Sequence, residues 1–167
     1  MIIRSITLQD AEKFMGLIEQ VEADSKYMLF EAGERKLNLE RQAEMIEGIL
    51  SKENSTILVA ETDQTLVGYL IAMGGQAKRN SHSAYLVAGI LSNYRGKGIG
   101  TKLFHELEKW ARERGLHRLE LTVVAKNDAG LALYQKQGFK IEGTKRNSLY
   151  IDGEYVNEYY MGKLLKG

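Results

Sequence analysis

The 167-residue sequence contains no cysteine and no proline. The first absence excludes disulfides, thiolate metal ligands and a cysteine nucleophile. Histidine is scarce as well: His82, His105 and His117 stand apart in the sequence, so no metal site is expected. No apolar run approaches the ~20 residues needed to cross a bilayer. The opening "MIIRSITLQD" lacks the long apolar stretch of a signal peptide. A cytoplasmic protein with no membrane partner is the expectation. Net charge is also nearly absent: 23 basic residues against 22 acidic ones leave +1. Without a global basic field no nucleic-acid partner is expected, and any anion site must be local.

What is present is an ordinary globular balance, 44% hydrophobic and 27% charged residues. Residues 1–167 read as a single domain, long enough for a substantial core. "IIRSI" is a short strand, and Thr7 with Asp10 makes a capping-box pattern before a helix running to about Val21. Ser25 to Lys36 has no clean period and reads as a loop. Asn38 caps a second helix with Leu39, Ala43, Ile46 and Leu50 on one face. "TILVAE" and "TLVGYLIAM" flank Asp63 and Gln64 as a hairpin, and "AYLVAGI" is a third strand. The next helix carries Ile99, Leu103, Phe104, Leu107, Trp110 and Ala111 at helical spacing, with Gly115 placed to end it. "RLELTVV" follows as a strand. Asn127 caps the helix "DAGLALYQKQ", and Gly138 ends it. Two final strands join at Asp152-Gly153, a strong hairpin signal. The expected fold is α/β, with a strand–helix–strand–helix unit inside a mostly antiparallel sheet.

The chemistry-bearing feature is "SNYRGKGIGTKL", where Gly96, Gly98 and Gly100 alternate between a strand and a helix. A glycine turn opening a helix suits a phosphate: the backbone can approach, first-turn N–H groups are free, and the helix dipole favours an anion. It is not a dinucleotide fingerprint, because Thr101 stands where the third glycine belongs. Nor is it a Walker loop, because Leu91 replaces the first glycine and Gly98 follows Lys97.

"YRGKGIG" resembles the R/Q-x-x-G-x-G/A motif of the GCN5-related N-acetyltransferase superfamily, in Arg95, Gly98 and Gly100. Asn127, Leu133-Tyr134 and Gly138-Phe139 are similar to the second half of that fold's acetyl-CoA site. The tail "EGT…DGEYVNEYYM" most resembles the branch acting on small amines and L-amino acids. The resemblance implies a mixed, mostly antiparallel twisted sheet of about six to seven strands flanked by about four helices, with a splayed central strand pair. It implies acetyl-CoA as donor, with the pyrophosphate on backbone N–H groups of Gly96, Lys97, Gly98, Ile99, Gly100 and Thr101. It also implies a bulge at Gly89, and backbone groups of Ala88, Gly89 and Ile90 pairing with the pantetheine arm. Arg95, Lys97, Lys126 and Lys136 are candidates near the phosphates.

Acetyl transfer needs a neutral amine, a stabilised carbonyl oxygen and a proton for the departing thiolate. The resemblance assigns that proton to Tyr134, although its spacing also suits a packed core tyrosine. Asn127 either touches the cofactor or caps its helix, or does both. For the base, Thr122 occupies the position where some relatives carry a glutamate; Glu120, on the same strand face, and Glu31, in the loop "MLFEAGER", are the candidates. Tyr27, Met28, Leu29 and Phe30 either line the acceptor pocket or plug the core, and Glu31 either binds the substrate ammonium or is a solvated surface carboxylate. The expected function is direct transfer to a small amine or amino acid in a ternary complex. The alternatives are a protein N-terminal or lysine acetyltransferase, and a non-catalytic acyl-CoA-binding sensor. The tyrosine-rich tail either pairs across a homodimer or finishes the core.

Overall fold

The computed structural model describes residues 1–166. Strand β1 (Ile2–Ser5) leads through a short 3-10 turn into α1 (Ala11–Asp24), and α2 (Leu39–Leu50) follows a loop without helix or strand. Then come β2 (Thr56–Thr62), β3 (Thr65–Gly74), β4 (Ser83–Ile90), α3 (Ile99–Glu113), β5 (Arg118–Val124), α4 (Asp128–Lys136), β6 (Lys140–Ile151) and β7 (Glu154–Leu164). The seven strands form one sheet in the order β1-β2-β3-β4-β5-β7-β6. Every neighbouring pair is antiparallel except β4 and β5. This is the expected mixed α/β architecture. Among the described residues no helix is long and apolar enough to cross a membrane.

Period-2 alternation divides the strands between two cores. Ile57, Val59 and Tyr69 face α1 and α2, packing with Phe14, Leu17, Ile18, Val21, Ile46 and Ile49. Leu58, Leu70, Leu86, Leu121 and Met161 face the other way, onto Leu103, Phe104, Leu107 and Phe139. Each such large apolar side chain, fully buried, stabilises the fold by about 1.5–3 kcal/mol. The hairpin turns are as the sequence predicts: φ is positive at Asp63 (48°) and Gln64 (65°), and at Asp152 (51°) and Gly153 (80°). Two consecutive left-handed residues give the type I′ geometry that matches strand twist.

The sheet opens at its centre. Strands β4 and β5 pair only over Ser83–Tyr85 and Arg118–Glu120. Beyond that point they diverge, while each keeps its outer partner, β3 or β7. This is the splayed pair.

Two expectations need correction. The buried face of α2 is Gln42, Ile46 and Ile49, whereas Leu39 and Leu50 are exposed at 47% and 39%. Leu39 and Leu50 are the terminal residues, where the helix overruns the edge of the core. Gly89 is not a bulge: β3 and β4 keep one unbroken register, with Gly89 opposite Tyr69. A glycine is needed there because a Cβ would stand 2.7 Å from the Tyr69 ring. Part of the tyrosine-rich tail does finish the core, since Val156 and Met161 are buried, while Tyr155 and Tyr160 are exposed.

Candidate active site

The glycine loop builds a nest of free donors. Gly96 and Gly98 are left-handed (φ 73° and 81°), a conformation that costs other residues energy. A Cβ on either would meet open space, so the glycines serve backbone shape and leave the mouth clear. Gly98 is the N-cap of α3, and the first helical bond runs from Lys102 N to Gly98 O at 3.1 Å. None of the six N–H groups from Gly96 to Thr101 finds an acceptor among the described residues. They lie at the positive end of a 15-residue helix. Ile99 is buried in the core, so it offers only its N–H to a ligand. Gly100 has a different reason to be glycine: a Cβ would lie 2.9 Å from Leu133 on α4. Lys97 is exposed with its ammonium 5.3 Å from the Tyr94 ring centre, and Lys136 is exposed in the last turn of α4.

The splay supplies a second set of unpaired groups. Leu91 N bonds Val67 O, and Gly75 N bonds Ser83 O. By alternation, odd-numbered residues of β4 turn their backbone groups toward β3, and Ala88 and Ile90 turn theirs toward the gap. Gly89 is thereby engaged by β3 rather than open to a ligand. Arg95 folds back, its Nε donating to Ile90 O at 3.4 Å, so its side chain braces the strand end.

Tyr134 sits beside this gap. Its ring packs edge-on against Phe104 (centroids 5.6 Å) and Phe139 (6.3 Å). Burial, with Tyr85 contributing, pushes its phenol up to about 12, so the hydroxyl stays protonated across the neutral range. The core and acid readings of Tyr134 are therefore compatible. Asn127 caps α4, its Oδ1 accepting from Gly130 N at 3.0 Å.

On the α1/α2 side the gap carries a cavity of about 250 Å³ lined by Tyr85, Arg118, Glu120, Thr122 and Tyr160. Glu120 lies in it, tied to Arg118 Nε at 3.1 Å; the same guanidinium holds Glu142 with two bonds of 2.9 and 2.5 Å. Tyr85 Oη and Thr122 Oγ1 are hydrogen-bonded at 2.8 Å, linking β4 to β5 where their backbones have separated. The sequence reading missed this pair, treating Thr122 only as a missing glutamate. A signal existed: Tyr85 alternates with the core-facing Ala84 and Leu86, and so belongs to the open face.

The loop between α1 and α2 is anchored beside the splay. Ser92 Oγ donates to Asp24 Oδ2 at 3.0 Å, joining the end of α1 to the β4–α3 connection. Within the loop Arg35 pairs with the buried Glu22, and its guanidinium lies over the Phe30 ring at 4.4 Å. "YMLF" divides its roles: Met28 packs on the core, Leu29 is 68% exposed, and Tyr27 and Phe30 are half-buried. Glu31 is exposed, and its carboxylate bonds no described residue. Lys126 is paired on the surface with Glu154 at 2.7 Å.

The arrangement combines an anion cradle at the start of α3, unpaired backbone groups along the splay, a protonated phenol on α4 and an open cavity that carries the Tyr85–Thr122 pair. The family model described as "Acetyltransferase (GNAT) family" matches residues 18–139. An L-amino acid N-acetyltransferase, AaaT of Escherichia coli, is 35% identical over 111 residues, covering 64% of this chain and 67% of that protein. A GNAT-family acetyltransferase structure from Streptococcus pneumoniae superposes with a TM-score of 0.95 at 30% identity, covering 99% of both chains. The ribosomal-protein-alanine N-acetyltransferase structure from Brucella melitensis gives 0.87 at 29%, covering 99% of this chain and all of the other.

Proposed function

This chain belongs to the GNAT acetyltransferase family, and from that premise we propose that it moves an acetyl group from acetyl-CoA directly to the primary amine of a small acceptor, an L-amino acid foremost. The carrying observation is the run of six unpaired N–H groups, Gly96 to Thr101, at the start of α3. Their geometry fits a pyrophosphate: the left-handed glycines leave the mouth free of side chains, and the helix dipole adds favourable charge. Ala88 and Ile90 pair their gap-facing backbone groups with the pantetheine arm, as an added strand would. Lys97 and Lys136 supply exposed ammonium groups to the phosphates. Bound there, acetyl-CoA supplies an acyl group activated as a thioester.

The remaining chemistry belongs to the protein. Tyr134 Oη holds a proton for the departing sulfur; a buried phenol keeps that proton until a strong base forms beside it. Tyr27 and Phe30 shape the acceptor side, and Glu31 attracts an ammonium toward it. Glu120, in the cavity, lines the route by which the acceptor's proton leaves. The lack of cysteine supports direct transfer in a ternary complex over a thioester acyl-enzyme. The similarity to E. coli AaaT supports a free amino acid as acceptor. The likeness to the Brucella enzyme favours a second reading, transfer to the N-terminus of a protein.

One assay tests both: thiol release from acetyl-CoA across free L-amino acids, polyamines and an alanine-led peptide, with product masses. The highest kcat/KM is expected with a free amino acid. Preference for the peptide establishes the second reading, and no acetylated product from any amine overturns catalysis in favour of an acyl-CoA sensor.

A further inference from the structure

The acceptor's nitrogen must shed a proton, and neither glutamate expected from the sequence is free beside the splay. Glu31 is exposed on the loop, and Glu120 is held by Arg118. What the splay does hold is a pair of hydroxyls. Thr122 lies two residues beyond the last β4–β5 pair, Tyr85↔Glu120, and Tyr85 leans along the strand direction to reach it.

We propose that Tyr85 and Thr122 form the proton relay of this enzyme, with Tyr85 Oη accepting from the acceptor amine and Thr122 Oγ1 passing the proton to water in the cavity beside Glu120. This rests on the acetyltransferase reading above. A hydroxyl both accepts and donates, so two in series make a directional chain. The amine N–H is donated to Tyr85 Oη, the Tyr85 O–H to Thr122 Oγ1, and the Thr122 O–H to a cavity water. Before the nitrogen's lone pair can attack the acyl carbon, an N–H bond of the ammonium must break. Tyr85 gains that proton and hands its own to Thr122, which hands its own to water. Both side chains end as they began, and the proton leaves through solvent.

The geometry supports each link. The pair is set at 2.8 Å before any ligand arrives, and its cavity of about 250 Å³ has room for several waters. The titratable and charged groups around the pair are Arg118 and Glu120 on β5, Tyr160 on β7, Glu142 on β6 acting through Arg118, and Tyr134 on α4. Arg118 is neutralised by the two carboxylates it holds, which leaves the cavity hospitable to a departing proton.

The test uses Tyr85→Phe and Thr122→Val with the panel amine that the wild type turns over fastest. For Tyr85→Phe, kcat/KM is expected to fall ~10²–10³-fold at pH 7. The deficit should shrink to about tenfold or less at pH 9.5, where the amine is already largely neutral. Thr122→Val should show the same pattern more weakly, and the double variant should be no worse than Tyr85→Phe alone. Calorimetry on the CoA-bound protein should show amine affinity reduced ~10-fold or more in Tyr85→Phe, with CoA affinity unchanged. Equal losses at every pH would mean a packing role, and a wild-type profile would mean no role; either overturns the relay. A wild type that acetylates no amine removes the function reading itself, an outcome distinct from these.

Discussion

Leu133 on α4 lies against the bare backbone of Gly100 on α3, 2.9 Å from where a Cβ would stand. Gly96 and Gly98, a few residues earlier, have no neighbour within 4 Å of that position. One glycine motif therefore holds two kinds of glycine, one for packing and two for backbone conformation. Gly100→Ala should push α3 and α4 apart and cost about 1–3 kcal/mol. Urea denaturation should show the lower midpoint, and acetyl-CoA affinity should fall with it because Gly100 carries one of the cradle's N–H groups.

Gly98 should respond to charge. Asp and Asn tolerate the left-handed region similarly, and differ mainly by a carboxylate beside the proposed pyrophosphate. Gly98→Asp is expected to abolish calorimetric binding of acetyl-CoA, while Gly98→Asn retains measurable affinity. Equal affinity in the two folded variants would detach the phosphates from this loop.

Tyr134→Phe keeps the ring against Phe104 and Phe139 and removes only the hydroxyl. The expected loss is ~10²–10⁴-fold in kcat, with little change in KM for acetyl-CoA, measured where chemistry limits turnover. An acyl donor with a more acidic thiol should narrow the gap, because that leaving group needs less help. A kcat within about threefold of the parent would reduce Tyr134 to a packing residue.

Asp10 makes a pH prediction far from the site. Arg4 grips it with bonds of 2.7 and 2.8 Å, and Thr7 N adds one at 2.8 Å. The Arg4 bonds foremost, with help from Thr7, hold its carboxyl down at about 2. A folded value below the unfolded one, ~3.9, means the stabilisation is complete above pH ~4–5 and is lost as pH falls toward 2. Asp10→Asn should cost about 1–3 kcal/mol at pH 7. Its deficit against the wild type should close as denaturation is followed down to pH 2; a deficit independent of pH would refute the charge-based account.

Local order was legible in the sequence because local physics sets it. Asp63-Gln64 and Asp152-Gly153 turn where consecutive turn-prone residues sit between β-prone runs. Asn38 and Asn127 cap their helices, accepting from Arg41 N and Gly130 N. The free donors at the start of α3 follow from a helix that must begin after Gly98, since every helix start leaves its first N–H groups without partners. The splay and Tyr134 were reached through resemblance rather than pattern.

Tertiary structure decided what depends on partners distant in sequence. Gly89 looks like a bulge until Tyr69, 20 residues earlier, is laid across it. The face of α2 shifts to Gln42 and Ile49 because the core ends before the helix does. Glu120 and Glu31 are equal candidates in one dimension, and separate once Arg118 claims the first and the loop carries the second outward. Tyr85 and Thr122 lie 37 residues apart, and no spacing rule joins them. They meet because β4 and β5 run parallel for three pairs and then part, leaving two side chains to span a gap that the backbone no longer closes.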